Sequence, residues 1–169
     1  YASFALDVTA ALRDGANDVG VTVDTTEHKS RWYPGAGIYR RVRLQVVPRG
    51  GAVPFSAQIV TESLTDAEAV LRVSFDAVGG GRTVRTERIA CPHRWSVEDP
   101  FLYTIDVGGE KVRYGLRSAV FTADDGFHLN GKRLQLKGVD LHSDLGLVGM
   151  AFDPDVARRQ LLLMKDLGV

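Results

Sequence analysis

Four histidines, one cysteine and a scatter of carboxylates are the groups in this 169-residue chain whose chemistry could serve acid–base, nucleophilic or metal-binding roles. Their spacing narrows the choice. His28, His93 and His128 lie far apart on different segments, without the short repeats that bring imidazoles onto one metal ion, and read as structural or exposed side chains. Cys91 is alone, which excludes an internal disulfide and a cysteine-based zinc site. His142 differs in context. It follows an apolar stretch and sits in a loop with Asp140, Asp144, Gly146 and Gly149. A neutral imidazole offers one donor and one acceptor, and Asp140, two residues earlier, carries a carboxylate able to orient the ring.

The segment Arg31-Trp32-Tyr33-Pro34-Gly35-Ala36-Gly37-Ile38-Tyr39-Arg40 sets two large aromatics before a Pro-Gly turn. Aromatics at such a turn can wall a sugar site, because a ring face packs against the C–H groups of a pyranose. They can equally plug the end of a sandwich. Other groupings carry no chemistry. Asp124-Asp125 reads as a solvated turn. Gly79-Gly80-Gly81 lacks the strand-to-helix context and lysine of a phosphate loop. Arg82, Arg85 and Arg88, with Glu87 among them, read as a solvated strand face, and Lys165 as a solvated side chain.

The elements that must position these residues are mostly strands. Alternation through Phe4, Leu6 and Val8, through Val19, Val21 and Val23, and through Val42, Leu44 and Val46 predicts three half-buried strands. Pro48, Gly50 and Gly51 then mark a boundary. Further strands are predicted over 57–61, 70–78, 82–90 and 101–107, with a partner strand through Val112, Tyr114 and Leu116. Leu71, Val73, Phe75 and Ala77 share one face, and Gly-rich turns separate the strands, the pattern of a small antiparallel sandwich. Phe127 and Leu129, then Asn130-Gly131, then Leu134 and Leu136 read as a hairpin. Leu134 to Val139 reads as a strand that becomes buried. Asp153-Pro154 opens a helix with Asp153 as N-cap and Pro154 at the first helical position, and Gly168 ends it. Val156, Leu161, Met164 and Leu167 can share a face of that helix.

Composition sets the outer limits. With 44% hydrophobic and 25% charged residues the chain is globular rather than disordered. No apolar run approaches the roughly 20 residues of a membrane helix. Lys plus Arg equals Asp plus Glu at 21 each, so the broad basic field of a nucleic-acid binder is missing. Compartment is left open. The chain starts at Tyr1 and stops at Val169 directly after the helical pattern, and is read as a piece of a longer protein.

Taken together, the motifs resemble the middle of a glycoside hydrolase of family 2, the β-galactosidase and β-glucuronidase group. The resemblance is carried by Ser30 to Arg40 (SRWYPGAGIYR), by Trp95, Pro100, Leu102 and Tyr103, and by Gly115-Leu116-Arg117. It continues in Gly126-Phe127-His128-Leu129-Asn130-Gly131-Lys132 and Lys137-Gly138-Val139-Asp140-Leu141-His142. Leu163-Met164-Lys165 with Leu167-Gly168-Val169 completes it. The blocks run in the family's order along nearly the whole chain. Two places depart from the pattern: Asp140 stands where many relatives have Asn or Cys, and Thr25 to Ser30 is short.

The resemblance implies a mostly β fold in three parts. Residues 1–47 would be the end of a sugar-binding jelly roll and 48–121 an immunoglobulin-like sandwich. Residues 122–169 would be the first strand and helix of a truncated TIM barrel. It implies a retaining glycosidase that cleaves terminal β-linked sugars, β-galactosidase-like first of all, from an oligosaccharide or glycoconjugate substrate. Such enzymes use two carboxyl groups about 5 Å apart. Glu27, Glu62, Glu68, Glu87, Glu98 and Glu110 all precede the barrel part and none follows an Asn, so the catalytic pair is expected outside this chain, which alone would be inactive. Barrel active sites lie at the C-terminal ends of the strands. The resemblance therefore implies that His142 contacts sugar hydroxyls, that Asp140 orients it or binds substrate, and that Trp32 and Tyr33 lie near the site. No cofactor is implied, and no metal-ligand set maps onto the sequence. The remainder of the longer chain is the expected partner, with no nucleic acid and no membrane, and homo-oligomerisation is left open. A different class, a non-catalytic carbohydrate-binding or structural β-sandwich module, is the alternative. It has no need of a buried strand followed by a capped helix.

Overall fold

A computed structural model describes residues 3–26, 37–142 and 144–169. The molecule is mostly β, with antiparallel sheets. It divides into two compact units, Tyr1–Leu6 with Gln45–Leu136 and Asp7–Leu44 with Lys137–Val169. Among the described residues no helix is long and apolar enough to cross a membrane.

In the first unit, β1 (Gln58–Leu64), β2 (Glu68–Asp76) and β3 (Arg82–Ala90) form one sheet with β2 at its centre. β4 (Tyr103–Val107) and β5 (Glu110–Tyr114) form a hairpin. Side chains alternate along a strand, so β2 turns Ala69, Leu71, Val73 and Phe75 to one face. There they pack with Ile105 and Val107 of β4, and with Ala52 and Leu116, into the core. The hairpin turn must approach this core closely. At Gly108 (φ 62°) a Cβ would stand 2.6 Å from the Phe75 ring and 2.8 Å from the Ala52 nitrogen, so no side chain fits.

β3 was expected to present its arginines to solvent, and they do lie at the surface. Each is also tied to a partner. Arg82 donates to Asp76 at 3.1 Å and to the buried Ser74 hydroxyl at 2.9 Å. Arg88 donates to Glu68 at 2.6 Å, and Arg85 reaches the Asp106 carbonyl of β4 and lies 3.0 Å from Glu87. These side chains remain partly exposed, so the pairs add little stability and mainly fix register.

β6 (Ala119–Thr122), β7 (Gly126–Leu129) and β8 (Lys132–Arg133) make a three-stranded meander. Asn130 (φ 51°) and Gly131 (φ 78°) turn β7 into β8 with both central residues at positive φ, the two-residue hairpin that the sequence predicts. Asp125, in the β6–β7 turn, lies 2.9 Å from His128 Nε2 and 3.1 Å from Arg133 Nε, which makes it a local structural group.

Two strand expectations fail. The alternating segments through Phe4, Val19 and Val42 form no ladder among the described residues, and Val19 (81% exposed) and Val46 (95% exposed) face solvent. Short local motifs take the place of pairing: Asp7 accepts from the Thr9 N–H at 2.9 Å, and Asp24 accepts from the Thr26 N–H at 2.9 Å. Leu134 to Val139 was expected as a buried strand. Its first N–H continues the hairpin, Leu134 to the Phe127 carbonyl at 2.8 Å, but no strand follows, and Leu136 and Val139 are exposed. The physical reason is common to both. A strand's hydrogen bonds go to another strand, so alternation alone cannot supply them.

In the second unit, α1 (Pro154–Asp166) forms where predicted. The Asp153 side chain accepts from the N–H groups of Asp155 (2.9 Å) and Val156 (3.0 Å), and Pro154 needs no acceptor at the first position. At the other end the Gly168 N–H (φ 82°) donates to the Lys165 carbonyl and the Val169 N–H to the Met164 carbonyl, a Schellman closure. Val156 and Met164 are half-buried while Leu161 and Leu167, expected on the same face, are exposed. Replacing Asp153 by Ala should destabilise this helix by about 1 kcal/mol. Faster amide exchange confined to the first turn of α1 would check it; unchanged exchange at Asp155 and Val156 would refute the cap.

Candidate functional site

The loop between β8 and α1 presents Asp140 and His142, both exposed. The chain after them is locally braced. The Asp144 N–H donates to the His142 carbonyl at 2.7 Å, and the Gly146 N–H donates to the Asp144 carboxylate at 2.8 Å. Gly146–Val148 forms one 3-10 turn, closed by the Leu145 N–H on the Gly149 carbonyl and the Gly149 N–H on the Gly146 carbonyl, each 2.9 Å. Asp140 and His142 thus lie exposed just ahead of this braced segment, a carboxylate and an imidazole two residues apart. That pair suits hydrogen bonding to hydroxyl groups. Trp32 and Tyr33, the other expected site residues, lie outside the described residues, as do Glu27 and His28.

One group in the same unit escaped the sequence reading. The Arg40 guanidinium lies 5.4 Å from the Tyr39 ring centroid and 5.6 Å from that of Phe152, which links the 37–44 segment to the residues before α1. A guanidinium against two aromatic rings is a favourable arrangement. Phe152, directly before the helix cap, carried no pattern that would have paired it with a residue so distant in sequence.

In the first unit the motif residues Trp95, Gly115, Arg117 and Asn130 turn out to be one interlocked cluster. The Asn130 side chain donates to the Trp95 carbonyl at 3.0 Å and accepts from the Ser118 N–H at 3.1 Å. The Trp95 N–H donates to the Leu116 carbonyl at 2.8 Å. A Cβ on Gly115 would lie 2.9 Å from the indole, so glycine there lets the ring pack, and the Arg117 guanidinium stacks over it at 5.3 Å. His93 lies 2.6 Å from Asp99 and stacks on Phe101, and its backbone N–H donates to the Tyr103 hydroxyl at 2.8 Å, a surface cluster within the first unit. Among the described residues no group of three or more His, Cys, Asp and Glu side chains could hold a metal ion.

No family model matches the sequence. Individual proteins do. The chain is 31% identical to the β-galactosidase BoGH2A of Bacteroides ovatus over 99% of its own length and 25% of that protein. A solved structure of a glycosyl hydrolase family 2 member from Bacteroides cellulosilyticus shares the fold with a TM-score of 0.70 over 86% of this chain and 26% of that one, at 23% identity. The β-glucuronidase of Parabacteroides merdae matches at 25% identity with a TM-score of 0.56, over 68% of this chain and 20% of that one. The chain thus spans about a quarter or less of the length of each of these three proteins. Along nearly its whole length the chain is thus similar to members of the β-galactosidase and β-glucuronidase group of glycoside hydrolase family 2, and it shares their fold.

Proposed function

We propose that the chain is part of a retaining glycosidase that removes terminal β-linked sugars, β-galactosidase-like, with the catalytic glutamate pair outside this sequence. The observation that carries the reading is the 31% identity to a β-galactosidase across 99% of the chain. The state of the acidic residues supports the second part. Glu62, Glu68 and Glu87 each face an arginine, at 2.9, 2.6 and 3.0 Å, and a carboxylate held in an ion pair is poorly suited to attack or to deliver a proton.

In this reading residues 1–47 belong to a sugar-binding jelly roll, 48–121 to an immunoglobulin-like sandwich that spaces it from the catalytic domain, and 122–169 to the opening of a TIM barrel. The braced loop after β8 then stands at the barrel mouth. His142 and Asp140 hold the hydroxyls of the terminal sugar, with Trp32 and Tyr33 near the same site. This chain's part in the reaction is to bind and orient the sugar ring, while bond cleavage falls to residues downstream.

The test uses the longer protein that carries this sequence beside the 169-residue chain. The longer protein should hydrolyse a nitrophenyl β-galactoside with retention, and the chain alone should not. Hydrolysis by the chain alone would overturn the siting of the catalytic pair. In the longer protein, His142→Ala should lower kcat/KM roughly tenfold to a hundredfold, the scale of one hydrogen bond to the substrate. An unchanged kcat/KM would remove His142 from the site.

A further inference from the structure

An open, shallow cavity of about 310 Å³ lies on the surface of the first unit, beside the outer edge of β1 and the end of β5. Its lining includes the apolar Ile59, Val60 and Ala119 and the polar Thr61, Tyr114 and Arg117. β1 pairs only with β2 and β5 only with β4, which leaves the sandwich open there among the described residues. The volume lies at the lower end of the roughly 300–1,000 Å³ of small-molecule sites, room for one sugar-sized ring rather than a chain.

The polar groups have a definite character. The lining holds one cation and no carboxylate. Arg117 donates one N–H to the Gly115 carbonyl at 3.2 Å and stacks on Trp95 at 5.3 Å. It has no ion pair among the described residues, and Glu62, the acid adjacent to Thr61 in sequence, is committed to Arg72 at 2.9 Å. The guanidinium is thus held by its stacked face with most of its N–H fork unused, the state in which arginine takes a carboxylate with two parallel bonds. Thr61 Oγ1 and Tyr114 Oη lie 2.9 Å apart and share one hydrogen bond, which leaves a hydroxyl hydrogen and lone pairs for a third group.

We propose that this cavity is an accessory binding site for a single carboxylate-bearing pyranose. The sugar's carboxylate sits on Arg117, its ring hydroxyls on Thr61 and Tyr114, and its C–H face on Ile59 and Ala119. The site lies in the other unit from His142 and takes no part in bond cleavage, so it stands or falls independently of the glycosidase reading.

Titration of the 169-residue chain by NMR with glucuronate, glucose, acetate and a short acidic peptide tests it, with no activity readout involved. Glucuronate should bind saturably and shift the amides around Thr61, Tyr114 and Arg117. Glucose and acetate should each bind at least about tenfold more weakly, since each lacks one half of the recognition. Arg117→Gln should weaken glucuronate binding about tenfold or more, and Tyr114→Phe roughly threefold, with circular dichroism confirming that both variants stay folded. Three outcomes overturn the proposal: no saturable glucuronate binding, binding undiminished in Arg117→Gln, or acetate or an acidic peptide binding as well as the sugar acid. The last would make the cavity a docking point for a protein carboxylate.

Discussion

Replacing Leu71 by Ala should destabilise the first unit by about 3 kcal/mol, within the 2–5 kcal/mol range of buried leucine truncations. Leu71 is fully buried at the middle of the central strand, packed among Ala69, Val73, Phe75 and Val107. The loss combines the transfer free energy of the removed methyl groups with the cavity left behind, and β2 cannot shift to fill it because both of its edges are hydrogen-bonded. Urea unfolding should show a lower midpoint with an unchanged slope. A loss below about 1 kcal/mol would mean that the core collapses around the gap and is not close-packed at Leu71.

Asn130→Ala should cost a similar amount, about 3 kcal/mol, from two separable sources. The first is the side chain, which bridges the Trp95 carbonyl and the Ser118 N–H; its removal leaves both groups part-buried without their partner. The second is the backbone, since φ of 51° is tolerated by Asn but strained for Ala. Asn130→Gly separates them. It relieves the backbone but still lacks the amide, so its stability should fall between wild type and Asn130→Ala. Equal losses in the two variants would show that the turn stores no strain. A loss near zero in both would show that the hairpin needs no anchor to Trp95.

The Asn130 cluster also gives a physical meaning to motifs that the sequence offers only as blocks. Trp95, Gly115, Arg117 and Asn130 are spread along the chain, yet they form one contact set: glycine admits the indole, arginine stacks on it, and the asparagine amide ties the hairpin to its backbone. Residue type announced that these positions were special. Their mutual contact could not be read from spacing, because antiparallel packing brings together residues from different strands.

What the sequence determined by itself is whatever rests on short-range chemistry. β3 falls at Arg82–Ala90 as predicted because turn residues bound it on both sides. The Asn130-Gly131 turn and the Asp153-Pro154 helix start follow from positive φ and from a side-chain oxygen placed for free N–H groups, both settled within four residues. The tertiary structure alone decided the rest. It paired Arg85 with the Asp106 carbonyl, set Arg40 against both Tyr39 and Phe152, and left Val19 and Val46 in solvent despite their alternation. It also ended the expected strand at Leu134 after one hydrogen bond. The reason is the same each time. Alternation marks a segment able to pair, but pairing requires a second strand, and only the folded chain determines whether one is there.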